Sequence, residues 1–183
     1  MPSPGTQLYF LALVPASPIY EHVQEYKEYV ADNFASKAAL RSPPHITLHM
    51  PFEWREKKEE QLINSLNEFI SPVRSLNLIL ENFGCFEPKV IYIHVNLTEE
   101  LKMFQQSLAA FCRKELNLFN ANYQVFPYHP HITIAFRDLK KDDFQKAWEE
   151  FRHEEYEDEF IINQFCLLKH DGKKWNVLTE FSF

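Results

Sequence analysis

The run QLYFLALV (7–14) places apolar, strand-forming side chains side by side and is closed by Pro15 and Pro18, which predicts a first β-strand. From Ser17 to about Lys37 the spacing lengthens. Ile19, Val23, Tyr26 and Val30 recur every three or four residues, the mark of a helix opened by Ser17 or Pro18. Arg41-Ser42-Pro43-Pro44 is a stiff extended entry to HITLHM (45–50), a short strand expected to close at Pro51. Residues 53–70 are charged and helical, with Leu62, Ile63, Leu66 and Phe69 facing inward. Beyond Pro72, residues 74–80 alternate with period two; a turn is expected over 82–88, then a strand over KVIYIHVNL (89–97).

The second half repeats this rhythm. Thr98 is an N-cap candidate for a helix running to about Leu116, with Leu101, Phe104, Leu108 and Phe111 as its stripe. FPYHP (126–130) leads into HITIAF (131–136), a strand. Residues 139–152 read as a helix with Phe144, Ala147, Trp148 and Phe151 inward, and two strands follow over roughly 158–169 and 174–183 around Asp171-Gly172. The pattern is α+β, built from two similar halves, and the expected organisation is one two-lobed domain over residues 1–183.

Composition narrows the function classes. With 183 residues, 45% of them apolar and 25% charged, the chain is long enough for a sizeable core. No apolar run approaches the ~20 residues of a membrane helix, and the apolar N-terminal stretch lacks the basic segment that would make it a signal peptide. A net charge of −7 argues against a broad, sequence-independent grip on nucleic acid, though it allows a local basic pocket. Three widely spaced cysteines (Cys85, Cys112, Cys166) without a CxxC pair predict a reduced, cytoplasmic protein with no disulfide framework. Three glycines in the whole chain exclude glycine-rich nucleotide loops.

The chemistry lies in a repeated tetrapeptide. His45-Ile46-Thr47-Leu48 and His131-Ile132-Thr133-Ile134 stand nearly half the chain apart, each directly after proline. On a strand, His45 and Thr47 share one face while Ile46 and Leu48 take the other, and the second motif repeats the arrangement. Two imidazoles and two hydroxyls converging on one phosphorus make a metal-free phosphodiester site. One histidine accepts a proton, the other donates one, and the threonines hold the non-bridging oxygens. Such a pair predicts a rate that rises and falls with pH around neutrality.

A twofold HxT motif in a chain of this length resembles the 2H phosphoesterase superfamily, and within it the bacterial 2′-5′ RNA ligase and cyclic phosphodiesterase branch. Residues 83–93 (FGCFEPKVIYI) are similar to the glycine turn and strand that separate the motifs there. The resemblance runs from about residue 7 to the end. It implies two pseudo-symmetric lobes, each an antiparallel sheet with helices, around a central cleft. It also implies action on 2′,3′-cyclic phosphates or 2′-5′ linkages of RNA-type or small nucleotide substrates, without cofactor or metal. By position, His45 and His131 become the catalytic pair, and Thr47 and Thr133 the phosphate contacts. Related phosphodiesterases often carry an arginine where Phe136 stands here; Arg137 follows it and shares the odd-numbered face of His131 and Thr133.

Further candidates stand outside the repeated motif. Arg41 and Lys89 could attract phosphate, and Tyr92 or Phe126 could stack a base. His49 and His129 fall on the faces of His45 and His131, so the four histidines form an alternative zinc set for a metal-dependent hydrolase. A non-catalytic nucleotide- or phosphate-binding protein using the same cleft is the other alternative.

Overall fold

A computed structural model describes residues 2–120 and 127–183. Eight strands form one sheet in the order β6-β3-β4-β5-β2-β1-β7-β8. The strands are β1 (Thr6–Leu13), β2 (Ile46–Arg55), β3 (Leu76–Phe86), β4 (Val90–Val95), β5 (His131–Ala135), β6 (Glu157–Ile162), β7 (Gln164–His170) and β8 (Trp175–Ser182). Four α-helices among the described residues accompany them: α1 (Ile19–Phe34), α2 (Glu59–Asn67), α3 (Glu99–Leu116) and α4 (Lys141–Phe151). Every pairing is antiparallel, and β2 meets β5 through the single registered pair Ile46 and Ile132. That pair divides the curled sheet into two four-stranded lobes, β2-β1-β7-β8 and β5-β4-β3-β6.

The α+β, two-lobed expectation holds, with a different allocation of strands. The repeats are β1-α1-β2-α2 and β4-α3-β5-α4, so β4 opens the second repeat, and β7 and β8 return to the first lobe. The expected strand over 158–169 is therefore two: the chain leaves β6 on one edge of the sheet and, past Asn163, enters β7 beside β1. Each crossover helix packs on the other lobe's inner strand, α1 on β5 and α3 on β2, so neither lobe closes its core alone.

Burial explains the elements. On β1, Tyr9, Leu11 and Leu13 face the helices while Phe10 and Ala12 join Cys166 and Leu168 in a second cluster on the opposite face. Covering on both faces is why β1 reads as continuous apolar sequence. The stripe of α3 (Leu101, Phe104, Leu108) is fully buried, and Thr98 caps the helix by accepting from the Leu101 N–H at 3.2 Å.

Three boundaries differ from expectation. The helix expected over 53–70 is confined to α2 (Glu59–Asn67), because the residues up to Arg55 pair with β1. β2 continues through Pro51 to Arg55, because the proline falls where the β1 pairing slips between Phe52 and His49 and no ladder donor is needed. β3 runs on through Asn82, which takes φ 57 at a bulge and exchanges hydrogen bonds with Tyr156, its N–H donating at 2.7 Å and its side-chain oxygen accepting at 3.2 Å. The left-handed conformation that asparagine tolerates makes a kink inside the strand here; the turn comes later, where the Lys89 N–H donates to Phe86.

Candidate active site

Ile46 and Ile132 point into the core, so the alternation of β2 and β5 turns His45, Thr47, His131 and Thr133 to the opposite, helix-free face. Continuing the antiparallel register, His45 stands across from Thr133 and Thr47 across from His131, a pseudo-twofold set around the isoleucine pair. The two imidazoles are close enough that the charge of His131 bears on His45.

The prolines explain how the rings are held. A residue preceding proline is kept extended, and in both motifs that residue's carbonyl receives the histidine. Nδ1 of His45 donates to the Pro43 carbonyl at 2.8 Å, and Nδ1 of His131 donates to the His129 carbonyl at 2.7 Å. A carbonyl only accepts, so each neutral ring carries its proton on Nδ1 and leaves Nε2 as the basic nitrogen. Neither Nε2 has a protein partner among the described residues, and the hydroxyls of Thr47 and Thr133 are likewise uncommitted there. Tyr128 donates its hydroxyl to the Thr47 carbonyl at 3.1 Å and so ties the approach to the second motif to the first.

Both rings are pushed toward the neutral form. Burial takes His45 down to about 4, helped by the nearby charges of Lys27 and His131 and opposed by the Pro43 carbonyl. His131 is also lowered by burial, opposed by its hydrogen bond to the His129 carbonyl, while the charges of the His129 and His94 rings add to the lowering.

A bulge repeats in both lobes. On β2 the register against β1 slips between Thr47 and His49, and on β5 the register against β4 slips between Thr133 and Ala135. Leu48 and Ile134 are the extra residues. The slip turns His49 to the side of Leu11, into the core: it is 0% exposed, packs against Phe52, donates from Nδ1 to the Met50 carbonyl at 2.9 Å and leaves Nε2 without a partner among the described residues. The alternation that put His49 on the face of His45 is broken there, and the four histidines are not brought together. Among the described residues no group of three or more His, Cys, Asp or Glu side chains is placed to hold a metal ion. The matching slip on β5 interrupts the alternation expected to carry Arg137 to the face of His131. β5 ends at Ala135, and Arg137 follows at φ 63, exposed, with its guanidinium 4.9 Å from the Phe136 ring centre.

The other candidates are distributed unevenly. Tyr92, 6% exposed, lies 5.0 Å from His131 and 4.6 Å from Phe86 between ring centres, so it walls the second histidine and offers little free face to a base. It lies over Gly84, where a Cβ would come within 2.5 Å of the ring. Arg41 is exposed on the short turn Ala38–Arg41, and Lys89 is exposed between β3 and β4. Phe126 lies outside the described residues.

Two neighbours escaped the sequence reading. His94 pairs across the ladder with His131, and its ring centre is 5.4 Å from that of His129. Lys27 is 1% exposed on the inner face of α1 and donates to the Ser42 carbonyl at 2.7 Å, just ahead of the residue that orients His45. Burial pushes its ammonium down to about 7. Lys27 falls on the helical spacing of Val23 and Val30; a lysine on an apolar stripe is the signal that could have marked it.

The comparisons with known proteins bear on this geometry. A model of the 2′-5′ RNA ligase superfamily matches residues 15–174. The chain belongs to that superfamily. It is thus a member of the 2H phosphoesterases, the group that its paired HxT motifs resemble. Relatives named "Putative phosphoesterase" include one from Geobacillus sp. (strain WCH70), 27% identical over 176 residues covering 94% of both chains. Another, from Bacillus mycoides (strain KBAB4), is 28% identical over 142 residues, 76% of this chain and 78% of the relative. Among solved structures, apo LigT of E. coli matches 97% of this chain and 98% of its own with a TM-score of 0.67 at 17% identity. TT0787 of Thermus thermophilus matches 96% and 97% with a TM-score of 0.59 at 19% identity. These likenesses establish a LigT-like fold. No helix among the described residues is long and apolar enough to cross a membrane.

Proposed function

We propose that the chain is a phosphoesterase acting on 2′,3′-cyclic phosphate or 2′-5′ phosphodiester bonds of RNA-type or small nucleotide substrates, with His45 as base and His131 as acid. The observation that carries this reading is the pair of imidazoles flanking the Ile46–Ile132 contact, each locked through Nδ1 and each with a hydroxyl beside it. The 183 residues act as one two-lobed unit because each motif comes from a different lobe.

In hydrolysis of a cyclic end, Nε2 of His45 takes a proton from water as its oxygen attacks phosphorus. Nε2–H of His131 gives a proton to the departing ribose oxygen, and Thr47 and Thr133 donate to the non-bridging oxygens. The product is a phosphomonoester, and proton exchange with solvent resets both rings. The roles follow from the surroundings. His45, held down to about 4 in an apolar setting, stays neutral and suits the base. His131 is the ring that takes up a proton when a phosphate anion arrives. Burial moves both rings to the acid side, so the expected optimum lies below neutrality, unlike the sequence expectation. These two roles need no metal ion. LigT has been crystallised with 3′-AMP, a nucleotide bearing the kind of phosphate this reaction leaves. Three free thiols suit a reduced compartment such as the cytoplasm.

The test is turnover of 2′,3′-cyclic nucleotides, 2′-5′ dinucleotides and ADP-ribose 1″,2″-cyclic phosphate in excess chelator. Cleavage of at least one with full activity is expected. Binding without turnover across the panel would favour a non-catalytic binding protein, and loss of activity in chelator would favour a metal hydrolase.

A further inference from the structure

Beside His45, on the first lobe, lies a groove of about 560 Å³ whose walls include Tyr20, Arg41, Pro43, Lys174 and Trp175. That volume suits a ligand the size of one nucleotide. No carboxylate among the described residues lines it, although the chain carries a net −7. Its two cations come from separate elements, Arg41 from the turn after α1 and Lys174 from the turn leading into β8. Neither side chain has an acidic partner among the described residues.

The groove adjoins the first of the two histidines through Pro43 and, by way of Phe10, through Trp175. Pro43, in its wall, is the residue whose carbonyl holds Nδ1 of His45. Trp175 meets Phe10 edge-on at 4.6 Å, and Phe10 lies 4.9 Å from the His45 ring. A second edge contact, with His170 at 4.9 Å, fixes the indole plane. An aromatic wall with two unpaired cations and no acid is the combination that binds a base by stacking and its phosphate by charge.

We propose that this groove is a subsite for the nucleotide next to the reacting one, which makes single-stranded RNA ends, rather than mononucleotides, the preferred substrates. The inference rests on the phosphoesterase reading and adds the substrate's length to it. A duplex is disfavoured, since its bases are already stacked and unavailable to Trp175.

The experiment compares kcat/KM of the full chain on a mononucleoside 2′,3′-cyclic phosphate and on a dinucleotide with the same cyclic end. One stacked base supports an advantage for the dinucleotide of about tenfold or more. Arg41→Glu and Lys174→Glu, both at exposed positions, should bring that ratio down toward one. A ratio near one in the unmodified protein, or one that both charge reversals leave untouched, overturns the subsite. In parallel, equilibrium titrations with a 3′-phosphorylated mononucleotide and dinucleotide need no turnover. If no diester is cleaved while the dinucleotide still binds about tenfold tighter, the phosphoesterase reading fails and the subsite stands. Equal binding of the two removes the subsite whatever the catalytic result.

Discussion

On the β2 side of the paired motifs, His45 lies against Phe10, which clusters with Ala12, Cys166 and Leu168 and meets Trp175. On the β5 side, His131 stands among Tyr92, Phe86, His129 and His94. The backbone is the same in both lobes: proline, histidine, threonine and a bulge one residue on. The surroundings differ: largely apolar with one buried charge, Lys27, in the first lobe, and lined by further histidines in the second. A symmetric frame thus gives two histidines one geometry in different surroundings, and the proposed split of base from acid rests on that difference.

The largest effect expected is from His45→Ala or His131→Ala, each lowering kcat by ~10²–10⁴-fold. The double variant should fall well short of the product because the rings act on one step. Thermal melts should stay near the parent's, since both rings are half-buried at the sheet surface. Full turnover in either single variant would end the paired mechanism.

Thr47→Val and Thr133→Val come next. Each removes a donor to a charged oxygen, about 1.5–3 kcal/mol, and should lower the pH maximum by about 10–100-fold without moving either limb. Similar losses from the two lobes would support the shared geometry, whereas a loss confined to one would mean that the substrate leans on one motif.

Gly84→Ala probes the second lobe alone. Its Cβ would meet Tyr92 ring atoms at 2.5 Å, and that ring is packed against His131. A loss of about 1–3 kcal/mol in stability is expected by denaturant titration, with reduced turnover. An unchanged protein would show that Tyr92 does not hold His131.

The smallest effect is the most local. Lys27→Met removes the positive charge that opposes protonation of His45, so the His45 resonance followed by NMR should titrate at higher pH while His131 does not move. No change at His45 would mean that the Lys27 charge does not bear on it, leaving burial, the Pro43 carbonyl and His131 to set its proton affinity.

Much of this was legible from the residues. The HxT repeat placed four side chains on one face because period-two alternation is a property of any strand, and the stripes of α1, α3 and α4 follow helical spacing. Alternation failed at the point where the backbone departs from it. One extra residue at Leu48 sends His49 into the core, and its counterpart at Ile134 precedes the end of β5 and the turn at Arg137. Nothing in Leu or Ile as residue types announces a bulge. The bulge at Leu48 is held by long-range packing, with Gln105 of α3 donating to the Leu48 carbonyl at 3.2 Å. Lobe membership was hidden for a related reason. The pairing of β7 with β1 and of β6 with β3 joins distant segments, and a single residue, Asn163, separates two strands of like composition.

The most direct test of the central claim, that a neutral His45 and a protonatable His131 share one reaction, is the pH dependence of kcat/KM on a cleaved 2′,3′-cyclic substrate in excess chelator. Protonation of His45 removes the base, so the acid limb should lie near 4. Deprotonation of His131 removes the acid, so the rate should fall again below the ordinary imidazole value of 6.5, which burial has lowered. The account predicts a bell with its maximum on the acid side of neutrality, losing its acid limb in His45→Ala. A rate that climbs to a high-pH plateau and disappears with chelator would contradict it, because a metal-bound hydroxide behaves that way and two imidazoles do not.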